Sequence, residues 1–575
     1  MTKIAIPFLL ILIAWGTIAV ADDAVDTEMK NDVLLRALVD ELERGNSGLK
    51  IEDLERPYFI EYALLDTNNI GVQAGLGAVF SRNENRARRL RTDIRVGSYE
   101  LDNTNYQGEF GGFFGGAFAF FGGGAAPIPI EDDYNAIRQA VWWTTDREYK
   151  SVTEAFEKKK AFMEGKVIED KPNDFSQEKP SVAFEPKANL ALPVDKFESL
   201  AVAESKLFRE HPEIKSSSAS VSGTAWNRYL VNSEGARLRT AHTNCTLVIN
   251  ATIQADDGME LSDTITAGAR SFEGLPSLAE LEEKCGQMID RLKKLKDAPK
   301  LDSYSGPVLF DAAPAASVFS SKFASRFSGG QRALGSRRRA DNLENKLNKR
   351  ILPRFVNVVD DPTLETLQDE PVLGHYRYDD QGVPAQKVQL VEAGKLRALL
   401  MARNPSKDFK RSNGHGRGAY RIDAAHSCLV LSTERGSDKD ALKQQLLDAC
   451  EDEDLEFGIR IASLGREGTS GGFSRFGFLF PGFGRQRGGT LPLAMYKVFP
   501  DGREELVRGA EFAEISPKAF KRILAAGDKL HVSNKAGMQG KTVAAPALLF
   551  QELDLAEIDR DFDKPPVLPS PLARK

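Results

Sequence analysis

Two short stretches of this sequence combine residue types that could bind a ligand. The first, GHYRYDDQGVP, contains His375, Asp379 and Asp380, and the second, SNGHGRGAY, places His415 and Arg417 among glycines. Paired aspartates can bind a cation or a peptide amine. An imidazole beside a guanidinium can bind a peptide carboxylate or its carbonyl groups. The two stretches therefore predict a peptide-binding site, with four candidate residues: His415, Arg417, Asp379 and Asp380.

Each stretch also has a plainer structural interpretation. The run Asp379-Asp380-Gln381-Gly382 is typical of a hairpin turn, because aspartate accepts hydrogen bonds from its own backbone. The glycines around His415 are typical of a flexible, solvated loop. The turn is favoured over a metal site in the first stretch, and both interpretations stay open for the second.

The usual signatures of metal or nucleotide chemistry are absent from the sequence. The chain has six histidines but no H-E-x-x-H motif, no G-x-x-x-x-G-K-[ST] loop and no Cys/His ligand cluster. A zinc site needs several such ligands at fixed spacing on rigid elements. We therefore predict no catalytic residue, no metal ligand and no cofactor. Zinc is expected only if His375, Asp379 and Asp380 form an unusual site.

Composition narrows the class of protein. The 575 residues are 41% hydrophobic and 28% charged, with a net charge of −6, which argues against a general nucleic-acid binder. Two basic runs, 82–95 and 332–354, could bind anions, but solvated faces are the simpler interpretation in an acidic chain. The four cysteines form no C-x-x-C motif. Two of them, Cys285 and Cys450, fall on apolar helix faces, which predicts buried thiols.

The first residues have the pattern of a secretory signal. Lys3 precedes an apolar core over 4–18, and Ala19-Val20-Ala21 forms an A-x-A cleavage site before Asp22. We expect residues 1–21 to be removed and the mature chain to be exported to the periplasm. The alternative is an uncleaved membrane anchor.

Local patterns predict several elements. Leucines in DVLLRALVDELERG are spaced as one helical face, and Ser277 with Glu280 forms a capping box before a second helix. Ser437 with Asp440 predicts a third capped helix. WNRYLVNSEGARLRT predicts a hairpin with its turn at 232–235.

Three segments have a biased composition. Gly/Phe tracts occupy 110–124 and 468–489, and a Pro-rich tail occupies 561–575. The tracts could contact a partner or a membrane, or pack on each other. Their role stays open.

Several motifs together resemble the TldD/PmbA family. They are RTDIRVGSYELDNT, YLVNSEG, YDDQGVP followed by LVEAGKLRALL, and AGMQGKTVAAPALLFQELDL, and they occur in order over almost the whole mature chain. The resemblance implies an α+β protein with an N-terminal α/β domain over 22–295. It implies a second domain, rich in antiparallel strands, over 296–560.

The family includes metal-dependent peptidases and partner subunits that lack the metal site. The resemblance places the H-E-x-x-x-H motif of the peptidases at VLFDAAPAAS, where the chain has Phe310, Asp311 and Ala315, and places a further cysteine ligand at Ala536. Phenylalanine and alanine cannot hold zinc. The segment around Phe310 is therefore expected to be structural, with Phe310 buried.

The resemblance implies a non-catalytic, peptide-binding partner subunit of a metallopeptidase-like assembly. The chain would form a homodimer, or a heterodimer with a catalytic TldD-like relative, and would bind no nucleic acid. An active metallopeptidase with ligands His375, Asp379 and Asp380 is one alternative. A binding protein of the cell envelope is the other.

Overall fold

The architecture comes from a computed structural model. It describes residues 27–51, 55–107, 125–164, 170–336, 343–466, 490–559 and 562–573. The predicted signal peptide and both Gly/Phe tracts lie outside the described residues.

A mostly antiparallel sheet forms the first half of the fold. Its strands are β1 (Pro57–Gly75), β2 (Ala78–Val96), β3 (Ala126–Ile128), β4 (Val182–Phe184), β5 (Ile214–Asn232), β6 (Arg237–Gln254) and β7 (Glu260–Ala269). Across the sheet the order is β3-β2-β1-β5-β6, and both β4 and β7 pair with β6. Only the β4–β6 pairing is parallel among the described strands of this sheet. The predicted turn at 232–235 is confirmed, since Gly235 N–H donates to the Asn232 carbonyl at 3.1 Å.

Two pairs of helices cover separate apolar regions of this sheet. The helices are α1 (Val33–Gly48), α2 (Tyr134–Met163), α3 (Val194–Lys206) and α4 (Leu278–Asp297). Side chains of α1 and α2 share a core with β1 and β2, whereas α3 and α4 share a second core with β5, β6 and β7.

The sequence patterns of α1 and α4 are confirmed. The predicted leucine face of α1 is buried, and the Asp32 side chain caps the helix by accepting the N–H of Leu34 at 3.2 Å. The capping box of Ser277 and Glu280 starts α4, whose Cys285 is buried as expected.

A second sheet contains twelve of the remaining described strands. The strands from here on are β8 (Ser303–Phe310), β9 (Val356–Asp360), β10 (Thr366–Leu367), β11 (Glu370–Pro371), β12 (Val388–Glu392), β13 (Lys395–Leu396), β14 (Gly416–Arg417), β15 (Asp423–Ala424), β16 (Cys428–Thr433), β17 (Gly436–Ser437), β18 (Gly458–Arg466), β19 (Thr490–Val498), β20 (Glu504–Val507), β21 (Ala510–Phe512), β22 (Ile523–Lys535) and β23 (Lys541–Glu557). The pairs β10–β11 and β14–β15 stand apart as small ladders. Most pairings are antiparallel, so the predicted α+β class is confirmed.

Strands β8 and β23 lie side by side in the middle of the second sheet. The order is β13-β12-β9-β16-β23-β8-β18-β19-β20. Two helices cover opposite faces of these strands: α5 (Ala312–Lys322) and α6 (Lys439–Glu451). Neighbouring side chains of β8 point to opposite faces, so Phe310 packs in the α5 core and Leu309 packs against α6.

The start of α6 differs from the prediction by one residue. Asp438 caps the helix by accepting the N–H of Ala441 at 2.8 Å, while Ser437 belongs to β17. All four cysteines are buried and unbridged. In the part of the chain that is described, no helix has both the length and the apolar character needed to cross a bilayer.

Candidate functional site

A cleft of about 300 Å³ lies where the two sheets meet. The first sheet and its loops line one side, and the segment 375–378, Arg417 and the turn between β22 and β23 line the other. Side chains that use opposite walls of one cleft can contact a single ligand. This is the candidate functional site.

Strands β5 and β6 provide a rigid aromatic wall. Trp226 on β5 stacks on His242 of the paired strand β6, with ring centroids 5.3 Å apart. The indole Nε1 of Trp226 donates to the Met538 carbonyl at 3.1 Å, which joins this wall to the β22–β23 turn. Trp226 is therefore held by the stack and by this hydrogen bond.

Asp380 lies behind the cleft and connects two of its guanidinium groups. Its carboxylate contacts Arg228 and lies 3.5 Å from Arg417 Nη1. The other carboxylate oxygen accepts the backbone N–H of Gly418 at 2.7 Å and a hydrogen bond from Gln539. Asp380 therefore positions Arg228 and Arg417 rather than presenting a free carboxylate.

Asp379 holds a turn, which confirms the plainer interpretation of that stretch. Gly382 N–H donates to the Asp379 carbonyl at 3.1 Å, and the Asp379 carboxylate accepts the N–H groups of Gln381, Val383 and Gly416, each at 2.9 Å. Burial raises the pKa of this carboxyl group, although those hydrogen bonds oppose the rise.

His415 does not lie in the cleft, which corrects the expectation of a flexible loop. Its ring is fully buried, with Nδ1 2.9 Å from the Asn413 carbonyl and Nε2 3.3 Å from Asp360 Oδ1. Gly416, which follows it, begins strand β14, which pairs with β15. A ligand in the cleft therefore meets Arg417 without meeting His415.

Arg417, a predicted ligand-binding residue, lines the cleft. Its guanidinium sits 4.1 Å from the centre of the Tyr376 ring. Because the side chain is about one-tenth exposed, aromatic stacking and Asp380 fix its direction.

The positions matched to the metal site of the family do not come together. Phe310 and Ala315 are fully buried in the α5 core, and Asp311 pairs with Arg460 at 2.8 Å. Ala536 follows β22, beside Gly268 of β7. Phe310 pairs with Leu548 in the interior of β23, and Lys541 begins that strand, beside the turn. Seven extended residues span about 23 Å, so the register places Phe310 well away from the start of β23.

Residues that could hold a metal are not grouped elsewhere either. Across the described ranges, no three His, Cys, Asp or Glu side chains are close enough together to bind one ion. The alternative metal ligands predicted from the sequence, His375, Asp379 and Asp380, already have other partners or lie apart. Asp379 and Asp380 are occupied by backbone N–H groups and guanidiniums, while His375 lies 3.9 Å from Glu365.

Sequence reasoning missed most of the cleft. Trp226, His242, Arg270 and Arg377 line it, yet none was a candidate. A usable signal existed in β5, because Trp226 and Arg228 are two residues apart and so share one face of a strand. The opposite wall is more than a hundred residues away in sequence and gave no local pattern.

A buried histidine near this region makes stability depend on pH. His426, 8% exposed, precedes β16, and its Nε2 has no hydrogen-bond partner among the described residues. Burial, then Lys541, lowers its pKa from 6.5 to about 4. The unfolded chain therefore binds the proton more readily between these values, and the stability that neutral His426 contributes above pH 6.5 is lost as the pH falls towards 4.

When the pH is lowered from 7 to 5, the free energy of unfolding should fall by about 1–2 kcal/mol less in His426→Gln than in the parent protein. Urea unfolding at both pH values measures it. Glu148 and Glu204, each with a pKa raised to about 7, stabilise the fold as the pH falls and so oppose the effect of His426. Both glutamates are present in parent and variant, so the difference between the two proteins isolates His426. Parallel pH profiles for the two proteins would contradict the prediction.

Comparison with known proteins gives consistent matches. Residues 303–449 match the family model described as the PmbA/TldA metallopeptidase C-terminal domain. A metalloprotease of Methanothermobacter thermautotrophicus is 30% identical over 184 residues, covering 30% of this chain and 36% of the relative. Metalloprotease MJ0996 of Methanocaldococcus jannaschii is 28% identical over 192 residues, covering 33% and 40%. The matched region thus spans well under half the length of these curated relatives.

Solved structures extend the similarity to most of the fold. TldE from Thermococcus kodakarensis superposes with a TM-score of 0.55 and 13% identity, covering 90% of this chain and 100% of that one. A Thermotoga maritima protein, described as a candidate modulator of a DNA gyrase, gives a TM-score of 0.56 and 14% identity, covering 87% and 96%. At these identities the likeness concerns the fold.

Proposed function

Because the chain belongs to the TldD/PmbA family, we propose that it is an exported, non-catalytic subunit that binds peptide in the cleft between its two sheets. It would work as a homodimer or beside a catalytic relative that carries the H-E-x-x-x-H motif. Export is part of the proposal, supported by the pattern of residues 1–21.

The cleft is the observation that carries the peptide-binding role. Its walls combine a stacked Trp226–His242 pair with guanidinium groups from both halves of the chain. Aromatic faces and fixed donors are typical of sites that bind extended chains by their carbonyl and carboxylate groups. The binding site thus needs no metal ion.

The non-catalytic role has separate support in the sequence. No histidine of the chain is followed by glutamate, so the H-E-x-x-x-H motif is missing whatever the alignment. The aspartates of the alternative ligand set, Asp379 and Asp380, are held by backbone N–H groups and by Arg228. Neither is available as a ligand without breaking those contacts.

We expect the purified mature chain to contain far less than one zinc per molecule and to cleave no peptide by itself. Elemental analysis, a peptidase assay and light scattering measure this, with the chain alone and with a relative that carries H-E-x-x-x-H. A complex with that relative, and faster cleavage by it, supports the partner role, whereas a dimer of the chain supports the homodimer. One zinc per chain with peptidase activity, both lost in His375→Ala, would overturn the proposal in favour of an active metallopeptidase.

A further inference from the structure

The cleft has more positive than negative side chains. Its lining contains four guanidinium groups, those of Arg228, Arg270, Arg377 and Arg417. Among the described residues, the carboxylates of the lining are those of Glu185 and Glu365 alone. An unbalanced group of cations in a concave site favours a negatively charged ligand.

The nearby acids do not neutralise these cations. Glu185 accepts the backbone N–H of Ala241 at 3.0 Å. Glu365 is 64% exposed and lies beside His375 rather than beside an arginine. Asp380, behind the wall, is shared by Arg228 and Arg417. One carboxylate therefore compensates the charge of two guanidinium groups only in part.

Two arginines keep most of their hydrogen-bonding capacity. Arg270 follows β7, and its Nη2 donates to the Val372 carbonyl at 3.0 Å. In the part of the chain that the structure describes, neither Arg270 nor Arg377 has a carboxylate within ion-pair distance. A guanidinium has five N–H donors in a planar fork that matches a carboxylate, so both side chains can accept an anionic partner.

The electrostatics of the neighbouring groups agree with this geometry. Burial, followed by repulsion from Arg270 and Arg417, lowers the pKa of His242 to about 4. Burial, followed by repulsion from Arg417, lowers the pKa of Arg228 to about 9. His242 is therefore neutral at pH 7, and its Nε2 has no hydrogen-bond partner within the described ranges.

We infer that the cleft binds a carboxylate group of its ligand, with Arg270 and Arg377 making the charged contacts. The inference rests on the proposed function and deepens it by naming the ligand class: a peptide that presents either its C-terminal carboxylate or an acidic side chain. Arg228 and Arg417 are held by Asp380 and supply the surrounding positive field, while the Trp226–His242 wall supports the peptide backbone.

Four acetylated penta-alanine probes test the inference by titration calorimetry on the full mature chain. The first probe has alanine at all five positions and a free C-terminal carboxylate. The other three end in an amide and have alanine, aspartate or lysine at the third position, so that they are neutral, negative or positive. A carboxylate that meets a guanidinium in a partly buried site gains about tenfold or more in affinity. We expect the free acid, the aspartate amide or both to bind at least about tenfold tighter than the neutral amide, and the lysine amide to bind weakest. Preference for the free acid alone identifies the C terminus as the recognised group.

The double variant Arg270→Gln/Arg377→Gln should abolish the preference for a carboxylate and leave the melting temperature unchanged. Arg503→Gln is the matched control, because Arg503 is 61% exposed, lies between β19 and β20 and is not part of the cleft. This control should retain the full preference. An unchanged preference in the double variant would overturn the assignment to Arg270 and Arg377.

Glutarate, a small dicarboxylate, separates failure of this inference from failure of the proposed function. If peptides bind regardless of charge, the inference falls and the proposed function stands. If no peptide binds but glutarate binds and the double variant releases it, the peptide-binding function falls and the carboxylate site stands. If neither binds, both are overturned.

Discussion

Replacing Arg403 with methionine is expected to destabilise the chain by about 3–5 kcal/mol. Arg403 is 1% exposed, and its guanidinium donates to the Ser176 carbonyl at 2.6 Å and to Glu234 Oε1 at 2.7 Å. It also lies 3.9 Å from the centre of the Phe175 ring. Methionine leaves Glu234 nearly buried without its cation, and an unpaired buried charge is costly.

Urea unfolding of the mature chain measures the effect, and each transition is read separately because the two sheets need not unfold together. Arg411→Met is the matched control, since Arg411 is 64% exposed and its loss should cost no more than about 0.5 kcal/mol. Adding Glu234→Gln should recover part of the loss in Arg403→Met, because the unpaired charge is then removed. Equal effects of Arg403→Met and Arg411→Met would show that the buried pair contributes nothing.

Replacing Phe310 with alanine is also expected to destabilise the chain by about 3–5 kcal/mol. The side chain is fully buried, as the sequence predicted, with ring centroids 5.5 Å from Phe512 and 5.4 Å from Phe550. Truncation leaves a cavity among β8, its paired strand β23 and the Phe512 ring of β21. Packed strands in the middle of a sheet cannot collapse to fill such a cavity.

Thermal and urea unfolding compare Phe310→Ala with Phe80→Ala, whose ring is 64% exposed. The surface variant should change stability by no more than about 0.5 kcal/mol. If Phe310→Ala unfolded like the parent, the segment around it would have no structural role, contrary to its position in the core.

Local patterns predicted those elements whose causes are local. The capping box of Ser277 and Glu280 uses two residues three positions apart, and α4 begins there. The leucine face of α1 follows from helical periodicity alone. Each of these signals lies within neighbouring residues, so each could be read from the sequence alone.

Long-range burial explains why His415 was misjudged. The glycines beside it are typical of an exposed loop, but the ring lies in the core, with its Nε2 3.3 Å from Oδ1 of Asp360, 55 positions earlier in the chain. No pattern within the stretch indicates such a partner. The same reason hid Arg270 and Arg377, which become neighbours of one cleft only when the two sheets meet.

The matching of the metal-site positions rests on sequence order alone. A resemblance in sequence order assigns Phe310 and Ala536 to one site, but order along a chain carries no distance. The antiparallel pairing of β8 with β23 sets Phe310 opposite Leu548, far from the turn that holds Ala536. Only the register of the strands reveals this separation.

Because β23 comes late in the chain, β8 can complete its pairing only after β23 has been synthesised. Strand β8 has its partners in β18 and β23, and Phe310 must wait for Leu548 to be made. At roughly 5–20 residues per second, this wait lasts on the order of ten seconds or more. Until then, the edge of β8 that β23 later covers stays open, and open strand edges of different chains can pair with one another.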